Sequence, residues 1–219
     1  MKPSASYTLL GFLTMVNILN FIDRQLLTSF SNFIVPDLGL TNTQFGLLSG
    51  FAFIIFYSLM GLIMGAIADR VHRPRFIAIA LALWSVLTAV SGMAKNFWML
   101  FIPRIFIGIG ESVLTPTALS LLSDRFSKSN MGFVAGFYSL AVPLGVAASL
   151  FIAGYLGPTL GWRNCFYGLG IIGVVLALLM LLFKETPTRE LDIANQLTRD
   201  VINKKVFQES IAVLKSSLK

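Results

Sequence analysis

Histidine and cysteine are nearly missing from this sequence, and charge is scarce. One histidine, His72, leaves no histidine-based triad and no histidine-rich zinc site. One cysteine, Cys165, makes a disulfide within a single chain impossible. Charged residues make up 12% of the 219 residues, against about 25% in a soluble domain. No nucleophile–base pair and no metal-ligand cluster stands out, so neither an enzyme nor a cofactor is expected. No short apolar region with a small-residue cleavage site follows "MKPSASY", so the first hydrophobic segment is expected to remain as a span.

What fills the space instead is apolar. Hydrophobic residues reach 56%, and the mean hydropathy is +0.79. A helix needs about 20 mainly apolar residues to cross about 30 Å of hydrocarbon. Six stretches qualify: about 8–35, 43–67, 76–94, 98–123, 131–156 and 164–183. The expected fold is therefore an all-α membrane protein with six transmembrane helices over residues 1–183. Short connections make successive helices antiparallel neighbours. Residues 184–219 are polar, with Leu191, Ala194, Leu197 and Val201 at helical spacing, and read as a cytoplasmic amphipathic linker.

A net charge of +7 raises the question of nucleic acid, and the placement of the cations answers it. Lys2, Arg70, Arg73, Arg75, Arg125, Lys128 and the seven cations after residue 183 fall on one side of the bundle. Lys95 and Arg163 fall on the other. That asymmetry is the positive-inside pattern, with both termini in the cytoplasm and no nucleic-acid partner. Arg24 and Arg104 are left inside spans.

Charges within a span are costly unless paired or wet. At 100° per residue, Asn17, Asn20, Arg24 and Thr28 share one face of the first span, with Asp23 on its flank; Arg104, Gly108, Glu111 and Thr115 form a second stripe on the fourth. Counted from the external ends, Asp23 and Glu111 both lie about 18–20 Å deep, near the midplane. Two readings stay open. The charges form buried ion pairs that hold helices in register, or Asp23 and Glu111 share an aqueous path and exchange protons. Desolvation favours a neutral carboxyl and a nearby arginine favours the ionised form, so moving the arginine would couple the two. Glycine pairs at four-residue spacing (Gly46 and Gly50, Gly61 and Gly65, Gly132 and Gly136) suggest close helix packing. "GLGIIG", 168–173, matches a dinucleotide fingerprint but lies in a span with no strand before it, and is discounted.

The loop "GAIADRVHRPR", 65–75, resembles the G-x-x-x-D-R-x-G-R-R signature of the major facilitator superfamily at Gly65, Asp69, Arg70, Arg73 and Arg75. His72 stands at the signature's second glycine and Pro74 replaces a basic residue, which suggests a differently shaped turn. "RIFIGIGE" is similar to the family's fourth-span motif, and Pro143 with Gly145 to its fifth-span break. Together, "NFIDRQLL", "RIFIGIGESVLTPTALSLLSDRF" and "GWRNCFY" resemble the spinster branch, whose animal members carry sphingosine phosphate or lysophospholipids.

The resemblance implies the N-terminal six-helix half of a proton-coupled secondary transporter in the inner membrane. Its partners would be protons, membrane lipids and a lipid-like anionic substrate. It also implies roles: Asp23 and Glu111 for protonation; Arg24, Arg104, Asn17, Asn20 and Thr115 as charge partners or substrate contacts; Gly65, Asp69, Arg70, Arg73, Arg75 and Asp124 as a cytoplasmic gate. Phe21, Phe51, Phe53, Phe56, Tyr57, Phe137 and Tyr138 are candidates for an apolar cavity wall, and equally for lipid or core contacts. A sugar acid or other organic anion is the alternative substrate class, and a non-transporting membrane module the alternative function. Family members have two six-helix halves, so the chain is expected either to be truncated or to pair with a second copy.

Overall fold

The computed structural model describes residues 3–68 and 70–185. The stretch from 186 onward, with the expected amphipathic linker, and Asp69 of the expected gate lie outside the described residues. All regular structure among the described residues is helical: α1 Pro3–Ser29, α2 Ser31–Asp37, α3 Asn42–Gly46, α4 Ala52–Ala68, α5 Arg73–Ser91, α6 Phe97–Glu111, α7 Leu114–Ser123, α8 Met131–Ser139, α9 Ala141–Phe151 and α10 Gly157–Met180. Single π-turns at Leu47–Phe51 and Ile152–Leu156 join α3 to α4 and α9 to α10, and a 3₁₀ turn, Lys128–Asn130, precedes α8.

Local chemistry sets the boundaries. Gly39, at φ +59°, takes the left-handed turn between α2 and α3. Thr41 and Gln44 then exchange side-chain and backbone hydrogen bonds as a capping box, which satisfies two otherwise orphan amides at the start of α3. Asn96 caps α6 by accepting from Met99 N at 3.0 Å. His72 accepts from Arg75 N at 3.4 Å and Pro74 occupies the first turn of α5. The departure from the family signature at these two positions thus produces a capped helix start, in which His72 has ordinary negative φ.

Among the described residues five helical stretches are long and apolar enough to cross a membrane: Ala5–Ser29, Asn42–Ala68, Arg73–Ser91, Phe97–Ser123 and Lys128–Met180. The last, 53 residues long, takes in 131–156 and all but the last three residues of 164–183, which hydropathy alone separates. Within it Gly161 leaves helical geometry at φ 78°, ψ 154°. Outward faces are apolar, as lipid requires: Leu62, Ile79 and Leu182 are more than two-thirds exposed.

Helices meet where glycine removes a side chain. A Cβ on Gly173 would lie 2.0 Å from Ser85 Oγ, and one on Gly170 would lie 2.6 Å from Ser85 O, which brings α10 against α5. A Cβ on Gly145 would lie 2.5 Å from Phe21 Cβ, which seats α9 on α1. These contacts fix the rotation of α1 and α5, and with it the direction in which their polar residues face. The four-residue pairs behave otherwise. Gly46, Gly50, Gly61, Gly132 and Gly136 have open space where a Cβ would stand, and Gly65 meets Pro116 at an ordinary 3.7 Å. Spacing alone marks faces on which glycine is tolerated; only the structure shows which of them press on a neighbour.

Candidate functional site

The polar stripes of α1 and α6 meet inside the bundle. Gly108 makes this possible: a Cβ there would lie 3.1 Å from Phe53 O, so α6 passes close to α4. Asp23 (4% exposed), Arg104 (6%) and Glu111 (0%) are buried, and Arg24 keeps 20% of its side chain exposed. Arg24 Nε donates to Glu111 Oε2 at 2.9 Å, joining α1 to α6. Arg104 reaches in the reverse direction, donating to Arg24 O at 2.8 Å and Asp23 O at 3.3 Å.

Pairing is therefore exchanged between helices, and neighbouring residues part company. Arg24 turns toward α4, where its guanidinium stacks over Tyr57 at 4.0 Å and lies 5.3 Å from the Phe53 ring. Arg104 sits 4.6 Å from that same Phe53 ring. Such contacts attract a desolvated guanidinium by up to about 2 kcal/mol. Asp23 turns toward α5, accepting from Thr88 Oγ1 at 3.4 Å. A cavity of about 10 Å³ borders Asp23, Thr88, Ser91 and Arg104; Glu111 is not among its walls. The two carboxylates lie in one cluster, yet different neighbours serve them.

The remaining expected residues spread around this cluster. Asn17 Nδ2 donates to Tyr138 O at 3.3 Å, tying α1 to α8. Asn20 is 1% exposed, with its amide beside the Glu111 carboxyl. Thr115 is half-buried at the start of α7. Phe53 and Tyr138 are buried, Phe21, Phe56 and Tyr57 half-buried, and Phe51 and Phe137 exposed.

A second cluster occupies the α4–α5 end. Arg73 is 3% exposed and donates to Asp124 at 2.6 Å, Ser120 at 3.1 Å and Glu185 at 2.9 Å. One guanidinium thus joins α5, α7 and the segment after α10, using the fork geometry that lysine lacks. Arg70 and Arg75 are exposed. Glu185 escaped the sequence reading, because a glutamate in a polar tail carries no signal of burial. At the opposite end Asp37 accepts from Arg163 at 2.6 Å and Trp162 Nε1 at 3.2 Å, and Arg163 also donates to Ala94 O. Thr88 and Ser91 were missed as well. Hydroxyls in apolar helices usually bond back to their own helix, as Ser91 does to Leu87 O at 2.8 Å, so nothing in the sequence distinguishes one that reaches across.

Among the described residues no group of three metal-ligating side chains gathers.

The sequence model of the Major Facilitator Superfamily matches residues 13–216. A hexuronate transporter of Bacillus subtilis is 32% identical over 177 residues, covering 80% of this chain and 42% of its own length. A probable sphingolipid transporter of Arabidopsis thaliana, a spinster homologue, is 28% identical over 189 residues, covering 78% and 38%. The crystal structure of a bacterial homologue of the human lysosomal transporter Spinster, inward-facing and unoccupied, superposes with a TM-score of 0.79 at 31% identity, over 86% of this chain and 45% of that one. The chain spans less than half the length of these relatives. They are transporters, not enzymes.

Proposed function

The chain belongs to the major facilitator superfamily, and on that premise we propose that it is the N-terminal six-helix half of a proton-coupled secondary transporter. The observation that carries the coupling is the Arg24–Glu111 contact at 2.9 Å beside a separately held Asp23, all within an apolar bundle. An anionic substrate that draws Arg24 toward itself releases Glu111, whose affinity for a proton then rises. Arg24 is the member of the cluster with solvent exposure, which suits it to meet the substrate.

Six spans follow from dividing Lys128–Met180 at Gly161, since about 80 Å of continuous helix is more than twice the hydrocarbon thickness. With the cations of 70–75 and 125–128 in the cytoplasm, both ends of the bundle face inward and the protein resides in a bacterial inner membrane. A second six-helix unit, on the same polypeptide or from another copy, closes the substrate path, and the Arg73–Asp124–Glu185 cluster acts as the cytoplasmic lock. Gly65, Asp69, Arg70 and Arg75 belong to the same proposed gate by their match to the family signature.

A lipid-like anion is the favoured substrate, on the likeness to the spinster proteins and the aromatic wall of Phe53 and Tyr57 around Arg24. The hexuronate transporter at comparable identity favours a second reading, a sugar acid. Proteoliposomes offered a lysophospholipid or a hexuronate under an inward proton gradient distinguish them. Asp23→Asn and Glu111→Gln are expected to abolish the proton-driven part of uptake while the protein stays monodisperse. Undiminished proton-driven uptake in both variants would overturn the coupling. Uptake of neither probe, with no effect of Asp23→Asn on any activity of the protein, would favour a non-transporting module.

A further inference from the structure

The small cavity beside Asp23 is lined by groups left unsatisfied. Asp23 Oδ1 and Arg104 Nε are both buried and lack a hydrogen-bond partner among the described residues, and both side chains border the cavity. Two hydroxyls border it too. Thr88 Oγ1 spends its hydrogen on Asp23 Oδ2 and Ser91 Oγ spends its own on Leu87 O, so each retains only acceptor capacity. An unpaired acceptor on a carboxylate, an unpaired donor on a guanidinium and two acceptor hydroxyls around about 10 Å³ meet the requirements of a single water: room for one molecule and two to four polar partners.

The cavity also has a direction. Leu27 lies one turn beyond Asp23 on α1, Ser91 is the last residue of α5, and Leu100 stands in the first turn of α6. Three of its walls thus lie on the α5–α6 side of Asp23, with Ile107 and Phe166 closing it elsewhere, whereas Arg24 and Glu111 lie toward Tyr57 of α4.

We propose that this cavity binds one water bridging Arg104 Nε to Asp23 Oδ1, and that Asp23 receives its proton through it from the α5–α6 end of the bundle, apart from the face where Arg24 meets Glu111. The inference rests on the reading of Asp23 as a proton-accepting group. In the step, an O–H bond forms on Asp23 as one breaks on the water, and the water regains a proton from solvent at the α5–α6 end. Arg104 holds the water oxygen by donating to it. The charged groups facing Asp23 are Arg104 and Glu111 of α6, with Arg24 beside it on α1; α5 contributes hydroxyls.

The test is infrared spectroscopy of the intact protein in lipid nanodiscs after a drop in pH, with the carbonyl band of protonated Asp23 assigned by its loss in Asp23→Asn. Ser91→Val places a methyl in the cavity and expels the water. The band is expected to move up to the frequency of a free acid and to grow several-fold more slowly. Ser91→Ala leaves room for the water and should keep the wild-type band and rate. Where Ser91→Val does not fold, Ser91→Thr replaces it, adding a methyl to the cavity wall while keeping the hydroxyl and the Thr88–Asp23 bond, with the same upward move expected. An Asp23 band unchanged in position and rate in whichever of these two variants folds would overturn the water route while leaving proton uptake by Asp23 intact. No band lost in Asp23→Asn at any pH would overturn the proton-accepting reading and the route with it.

Discussion

Removing either partner of the Arg24–Glu111 pair should destabilise the protein, and the two losses should be unequal. Glu111 is 0% exposed, so Arg24→Ala strands a carboxylate with no solvent and only Arg104 as a nearby cation. Stranding a buried charge costs about 3–5 kcal/mol. Glu111→Ala strands a guanidinium that is 20% exposed and still lies over Tyr57 at 4.0 Å. Solvent and the ring offset part of that loss, leaving about 1–3 kcal/mol. With about 2–4 °C per kcal/mol for a chain of this size, Arg24→Ala should lower Tm by about 6–20 °C. The double variant Arg24→Ala/Glu111→Ala removes both charges and strands neither. It should be more stable than the sum of the single losses predicts, by about 1–3 kcal/mol. Thermal unfolding of the four proteins in one detergent closes the cycle. If the double loss equals the sum within about 0.5 kcal/mol, the 2.9 Å contact carries no coupling energy and the coupling argument built on it fails.

The same measurement checks the helix contacts. Gly173→Ala, whose Cβ would meet Ser85 Oγ at 2.0 Å, should cost about 1–3 kcal/mol, with part of the loss recovered by adding Ser85→Ala. Gly132→Ala faces open space and should stay within about 0.5 kcal/mol of the parent protein; a loss as large as that of Gly173→Ala would refute the packing assignment. At the α4–α5 end, Arg73→Ala leaves Asp124 and Glu185 without the guanidinium they share and should cost about 3–5 kcal/mol. At the other end, Asp37→Asn touches a pair that is 37% and 41% exposed and should cost about 0.2–1 kcal/mol, falling further in high salt. Equal losses at the two ends would show that burial does not govern these pairs.

What could be read from the sequence follows from what each signal measures. Hydropathy reports burial in lipid summed over about 20 residues, so it finds the apolar helices well. It also separates 131–156 from 164–183, where the backbone runs on as one helical stretch through a π-turn and leaves helical geometry at Gly161. Asn17, Asn20 and Arg24 fall on one side of α1 because helix geometry alone sets their angular spacing. Pairing was beyond it. Adjacent residues on a helix point about 100° apart, so Asp23 and Arg24 face different neighbours. Which neighbours these are depends on the rotation of α1, set by its contact with Gly145 of α9. The glycines inside "GLGIIG" illustrate the same limit. Discounted as a nucleotide motif, Gly170 and Gly173 are the ones that bring α10 against α5.

That rotation bears on mechanism. Had Asp23 and Glu111 faced one cavity, a single arginine could have served both in turn, and one proton would have sufficed to release it. Instead Arg24 serves Glu111 through its side chain, while Arg104 holds the backbone carbonyls of both Asp23 and Arg24. Under the proton-coupled reading proposed above, a proton on Asp23 acts on Glu111 indirectly, by loosening the hold of Arg104 on the turn of α1 that carries Arg24. A conservative Arg104→Lys cannot span two carbonyls with one planar fork. It should leave a positive charge near Asp23 yet separate the two events, so that the proton dependence of uptake is lost while binding of an anionic probe to Arg24 persists. Retention of full proton dependence in Arg104→Lys would mean that charge alone, and not the bridge to α1, links the two carboxylates.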